Sequence, residues 1–173
     1  MSSSIDTRYR SATISVLVEN EAGVLARVIG LFSGRGYNIE SLTVAPVDET
    51  GHRSRINIVT SGTEMVIGQI KAQLDRLVPV YRVADLTLLG PHIASEMALV
   101  KVISESADKR GEALRLAGEY GARTVDATEI SFVFEMTGST DKLDAFLDTM
   151  RPLGLAEVSR TGVAAMTRGT HII

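Results

Sequence analysis

Asn20-Glu21-Ala22-Gly23 runs directly into Val24-Leu25 and the apolar positions Val28, Ile29 and Phe32, so a short polar turn opens an amphipathic helix. The free backbone amides and positive dipole end of such a helix attract an anion such as a carboxylate. Gly23 lets that anion come close, and the side-chain carbonyl of Asn20 is a neutral acceptor for an ammonium group. Together they suit a free amino acid, although the same spacing fits a plain polar turn that caps a helix equally well. Ser139-Thr140-Asp141-Lys142 matches the Ser-x-x-Lys pattern in which lysine helps to activate serine, but the companion motifs of that class are missing. Ser139 reads better as a helix N-cap with Asp141 in the first turn. His52, His92 and His171 fall in a hairpin turn, a linker and the tail, without a second ligand at metal-binding spacing. Gly30, Gly34 and Gly36 lack the phosphate-loop patterns and read as a helix packing site and C-cap. Arg8, Arg10, Arg53 and Arg55 interleave with polar residues, the usual pattern of solvated charge. No catalytic residue and no metal site is expected.

The elements that must position the Asn20 turn follow from periodicity. Ile14, Val16 and Val18 alternate with more polar neighbours as in a strand ending near Glu19, and helix one follows. Gly34-Arg35-Gly36 ends that helix, and Ile39, Leu42 and Val44 read as a second strand. Asp48-Glu49-Thr50-Gly51 makes a hairpin turn into a third strand with Ile56 and Ile58. Thr63 is a plausible N-cap for a helix carrying Ile67, Ile70, Leu74 and Leu77, stopped by Pro79, and Val80 to Leu88 reads as a strand. The order is βαββαβ, the ferredoxin-like arrangement. Past Gly90-Pro91-His92 it recurs: strand Met97–Ile103, a helix capped by Asp108, strands Thr124–Thr128 and Ile130–Met136, helix Ser139–Met150, and a strand from Leu155 to Ala164. Gly34 to Ile39 mirrors Gly118 to Arg123 in character, so duplication is the economical explanation. The expected fold class is α+β, with two tandem ferredoxin-like domains at residues 1–90 and 91–173.

Bulk properties narrow the partners. Apolar residues make up 45% of the 173 and charged residues 23%, enough for packed cores and too apolar for disorder. A formal charge of −3 argues against nucleic acid or an anionic membrane as the main partner. The absence of cysteine excludes disulfides, a thiolate nucleophile and cysteine-ligated metal. Met1 to Arg10 is polar and no apolar run approaches the ~20 residues of a membrane span, so the expected compartment is the cytoplasm.

Leu17-Val18-Glu19-Asn20-Glu21-Ala22-Gly23-Val24-Leu25-Ala26-Arg27-Val28-Ile29-Gly30-Leu31-Phe32, followed by Arg35-Gly36-Tyr37-Asn38-Ile39-Glu40-Ser41-Leu42-Thr43-Val44, closely resembles the small regulatory subunit of acetolactate (acetohydroxyacid) synthase. The similarity continues through Gln73-Leu74, Leu77-Val78, Met97 to Val102 and Lys142 to Phe146, and so covers nearly the whole chain. It implies an N-terminal ACT domain, which binds an amino acid and dimerises, and a C-terminal ACT-like domain. It also implies a non-catalytic role in branched-chain amino acid biosynthesis. The chain would activate a separate large catalytic subunit and confer feedback inhibition by valine. Thiamine diphosphate, Mg and FAD would belong to that partner, and this chain would need no cofactor.

Carried onto this sequence, the resemblance makes Asn20, Ala22, Gly23, Val24 and Leu25 the valine loop of one protomer, faced by Asn38 and Ile39 of the other. The strand from Ile39 to Val47 would then be a sheet edge paired with its symmetry mate, giving an eight-stranded sheet in a homodimer. Ala26 stands where the resemblance suggests serine, so neither it nor Gly118–Arg123 is weighted as a ligand contact. The alternative is an amino-acid-binding ACT sensor acting on another partner, such as a transcriptional regulator, which would normally need a helix-turn-helix segment.

Overall fold

The computed structural model describes residues 9–173, which divide into two compact units, one of residues up to Ala94 together with Val163–Ile173 and one of Ser95–Gly162. In the first unit, β1 (Tyr9–Glu19) buries every second residue, Ala12, Ile14, Val16 and Val18, against the helical layer. Helix α1 (Val24–Ser33) answers with Val24, Val28 and Phe32. β2 (Ser41–Pro46) and β3 (Arg53–Thr63) follow, and the Thr63 hydroxyl caps α2 (Glu64–Leu74) by accepting from the Val66 amide. With β4 (Val80–Asp85) the strands order as β2-β3-β1-β4, every pairing antiparallel, which leaves β2 as a sheet edge.

Two expectations need adjustment here. Helix α2 ends at Leu74 and the chain continues in a tightened turn, with the Arg76 amide on Gln73 O and the Leu77 amide on Leu74 O, so Leu77 lies beyond the helix. The ring of Pro79 disfavours helical backbone at Val78, and the chain turns before reaching it. β4 stops at Asp85 rather than running to Leu88, because the Asp85 carboxylate accepts from the Thr87 amide and starts a short helix, α3 (Leu86–Leu89). Arg8 of the arginine set lies outside the described residues.

β5 (His92–Ile103) leads into the second unit. Helix α4 (Ala107–Tyr120) is capped by Ser106, which accepts from the Lys109 amide, and not by Asp108, which sits in the first turn where its charge suits the dipole. β6 (Arg123–Ala127), β7 (Ser131–Gly138), α5 (Thr140–Gly154) and β8 (Leu155–Arg160) complete a sheet ordered β6-β7-β5-β8. Its core joins Val100, Phe134, Met136, Leu143 and Phe146. Both sheets therefore have the ferredoxin-like order.

The expected last strand is two. β8 ends at Arg160, Gly162 turns the chain at φ 85°, and β9 (Ala164–Thr167) pairs with β5, whose residues 92–94 belong to the first unit. Residues 163–173 thus pack with the first unit. Val163, Ala165 and Ile173 bury themselves with Ala84 and Leu86, which removes apolar surface that a four-stranded sheet with helices on one face leaves open.

The duplication also aligns one residue differently. Gly36 (φ 69°) corresponds to Gly121 (φ 75°), since in each case the next amide, Tyr37 or Ala122, donates to the carbonyl five residues back, Phe32 or Ala117. Only glycine takes that left-handed position without strain, so it marks the correspondence better than residue character does.

Candidate functional site

The turn before α1 is held from below by the β2–β3 hairpin. The Asn20 amide donates to His52 O at 2.7 Å, and Asn20 Nδ2 donates to Gly51 O at 2.7 Å, which leaves the side-chain oxygen to accept. Asp48 keeps that hairpin closed: its carboxylate accepts from the Arg53 amide and the Thr50 hydroxyl, contacts that hold its pKa below the ordinary value, the Arg53 amide most of all.

Gly23 occupies the N-cap of α1 with φ 88° and ψ −9°, and no side chain caps the helix. In contrast, α2, α4 and α5 each have a hydroxyl on their first amides, from Thr63, Ser106 and Ser139. The first turn of α1 carries no acidic residue, and the Glu21 carboxylate just before the helix is paired with Arg27 at 2.9 Å. Ala22 and Gly23 are exposed, and a Cβ on Gly23 would meet nothing within 4 Å. Glycine is needed there for its backbone angle rather than for space.

The remaining expected residues divide. The Val24 side chain is only 4% exposed and belongs to the core, so it can offer a ligand its backbone alone. Leu25 and Ile39 are partly buried against the same core. Asn38 is exposed, and its carbonyl accepts from Thr60 Oγ1 at 2.6 Å, which fixes the approach to β2. Asn20 to Leu25 form one continuous surface at the start of α1. Asn38 and Ile39 follow the other end of this ten-residue helix, about 15 Å of axis away, so a single chain does not bring the two groups together.

Elsewhere the candidate chemistry resolves into structure. Ser139 Oγ accepts from the Lys142 amide as a cap. Arg10 pairs with Glu64 and Asp85, Arg53 lies over the Tyr81 ring at 5.1 Å, and Arg55 donates to Ile173 O, so the arginines do not form a free basic patch. Among the described residues no three His, Asp or Glu side chains gather as a metal site would need, and no helix is long and apolar enough to cross a membrane. The grip of Gly51 and His52 on Asn20 has no sequence signal beyond the hairpin turn itself, because it joins segments about thirty residues apart.

Residues 14–82 match a family model described as an acetohydroxyacid synthase small subunit-like ACT domain, and residues 95–169 match one described as the small subunit of acetolactate synthase. The isozyme 3 small subunit of acetolactate synthase from Salmonella typhimurium is 47% identical over 92% of this chain and 97% of its own length. A probable acetolactate synthase small subunit from Archaeoglobus fulgidus is 45% identical over 91% of this chain and 96% of its own. The crystal structure of the acetolactate synthase small subunit from Thermotoga maritima superposes with a TM-score of 0.84 at 33% identity, covering 94% of this chain and 99% of that one. Two ferredoxin-like units and these similarities lead to one conclusion: the chain belongs to the small subunits of acetolactate synthase, the regulatory and non-catalytic component of that enzyme.

Proposed function

We propose that this chain activates the thiamine-diphosphate-dependent large subunit of acetolactate synthase and makes it sensitive to valine. Valine binds at the mouth of α1, its carboxylate on the uncapped amides after Gly23 and its ammonium on Asn20 Oδ1, with Asn38 and Ile39 of a second copy closing the site. The observation that carries this reading is the glycine N-cap of α1, which leaves amides and a positive dipole end unclaimed by any side chain. The edge position of β2 supports the second copy, because pairing that edge with its symmetry mate satisfies its backbone groups.

Regulation of this kind is a coupling free energy between two sites, typically about 1 to 3 kcal/mol. Docking of the small subunit favours the active arrangement of the large one, and valine, by binding better to a second arrangement, shifts the complex back. The chain itself needs no cofactor for this; thiamine diphosphate, Mg and FAD serve the catalytic partner. Mixing the purified chain with the large subunit tests the reading. The chain alone is expected to turn over no substrate, to raise the rate of the large subunit, and to make that rate fall with added valine. Activation with no response to valine would overturn the effector assignment, and no activation would overturn the partner.

A further inference from the structure

Residues 163–173 lie against the face of the first sheet away from its helices, and within this segment only Val163, Ala165 and Ile173 are buried, packed with Ala84, Leu86 and Val59. Thr167 is half-buried and the rest are exposed, Met166 by 56% and Ile172 by 79%. A segment anchored by so few apolar contacts opens at a lower free energy than the sheet beneath it. The seat is also loose. Thr43, Asn57 and Ser15 form one cross-strand row on this face. Asn57 Oδ1, Ser15 Oγ and Arg55 Nε are buried without a partner, although Arg55 Nη2 donates to Ile173 O. Burying such groups costs their desolvation, which opening the segment returns. A cavity of about 380 Å³ is shared between Ala164, Ala165 and Met166 of the segment and Thr43, Ala45 and Asn57 of the sheet.

One contact of the segment is close. Val163, the first residue past the Gly162 turn, has both backbone groups held by β2: its amide donates to Ser41 Oγ at 2.7 Å, and its carbonyl accepts from Thr43 Oγ1 at 3.2 Å. Ser41 and Thr43 are alternate residues and so share one face of the strand. β2 is the sheet edge, paired with β3 on one side, and the Val163 clamp adds a second hold on it. The clamp begins two residues after Ile39. That approach is tied to the segment a second way, because Val59 O accepts from the Glu40 amide at 2.8 Å while the Val59 side chain packs on Val163, Ala165 and Ile173.

We infer that residues 163–173 are a releasable cover whose closed state, through the Val163 clamp on Ser41 and Thr43, sets the position of Asn38 and Ile39, so that closure and valine binding favour each other. This rests on the valine site proposed above and adds its regulation. Coupling between two places needs an element with two arrangements that both places bias, and the loosely seated segment is such an element. Linkage is reciprocal: valine holds the cover closed by the factor by which closure strengthens valine binding.

Hydrogen exchange at the backbone amides of the full chain, followed by NMR with and without L-valine, tests this. The amides of Val163 and β9 are expected to exchange at least a hundredfold faster than those joining β1 to β3. Saturating valine should slow Val163 at least fivefold more than it slows the amides of α2. Ser41→Ala combined with Thr43→Val nearly keeps side-chain size and removes the clamp. That variant should speed exchange at Val163 at least fivefold, leave the β1 and β3 amides as in the parent, lose the valine-dependent protection, and bind valine at least threefold more weakly in calorimetry. If it does not fold, Ser41→Ala alone, which removes only the acceptor of the Val163 amide, decides. No valine binding by the parent overturns the valine site and the coupling with it. Valine binding that leaves exchange at Val163 unchanged, or that the clamp variant retains in full, overturns the coupling alone. Protection of β9 equal to that of β1 overturns the cover.

Discussion

Arg10 and Glu96 occupy the same position in the two units with opposite charge. Arg10 pairs across the sheet with Gly62 and Glu96 with Gly138, each the glycine just before a helix N-cap, Thr63 or Ser139. Arg10 reaches Asp85 at the end of β4 and Glu64 at the start of α2. Glu96 reaches Arg160 at the end of β8, and Arg160 also holds Asp144 of α5. Both units therefore tie the outer strand and the second helix to the same corner with one arginine and two carboxylates, the arginine having changed strands. In both, the carboxylates raise the guanidinium above its ordinary pKa against the opposing effect of burial, Glu64 contributing most at Arg10 and Glu96 at Arg160.

Removing one partner of such a corner leaves charge behind with little solvent to receive it. The Asp85 side chain is fully buried and also caps α3. Asp85→Ala is expected to lower the unfolding free energy by about 3 kcal/mol, measured by urea denaturation. Asp144→Ala, at the exposed end of the other corner, should cost under about 1 kcal/mol.

Gly154 allows no side chain. It has φ 110°, and a Cβ there would lie 2.1 Å from Ile103 O, which is backbone and cannot rotate away. Gly154→Ala is expected to destabilise the second unit by more than about 3 kcal/mol, seen as an earlier thermal transition. Gly23→Ala, with open space and only backbone strain, should cost about 1 kcal/mol.

Gly23→Asp places bulk and negative charge at the mouth of α1. Loss of valine binding by at least tenfold is expected in calorimetry, with an unchanged circular dichroism spectrum. Unchanged valine affinity would remove the site assignment.

The β2 edge provides an independent check. Val44 is 44% exposed on that strand. Val44→Glu should shift the chain toward monomer in sedimentation and weaken valine binding with it, because the proposed ligand site draws on both copies. A monomeric variant that binds valine normally would separate the two.

Acid should reach the site through Asp48. Its folded pKa lies below the ordinary aspartate value of 3.8, so the stability it contributes is complete above that value and is lost as pH falls through the depressed one. Valine affinity is expected to be insensitive to pH near neutrality. Asp48→Asn should weaken it a few-fold there, as the hairpin that holds Asn20 loosens, and the difference from the parent should shrink once the pH falls below the depressed value; calorimetry at two pH values checks both.

The sequence by itself determined the order of the main elements, though not the short helix α3 or the division of the last strand. Two-residue alternation at Ile14, Val16 and Val18, the three- and four-residue spacing from Val24 to Phe32, and the caps at Thr63 and Ser139 depend on contacts within one turn or one strand, and local chemistry suffices for those. Its resemblance to a family was legible for the same reason, as a continuous run of residue types. Tertiary structure decided what depends on segments far apart in the chain. The Asp85 cap that ends β4, the return of Val163–Ile173 to the first unit, the hold of Gly51 and His52 on Asn20 and the unsatisfied pair Arg55 and Asn57 are all of this kind. A burial or a hydrogen bond between distant segments has no period to betray it, since its energy depends on a neighbour that only folding supplies.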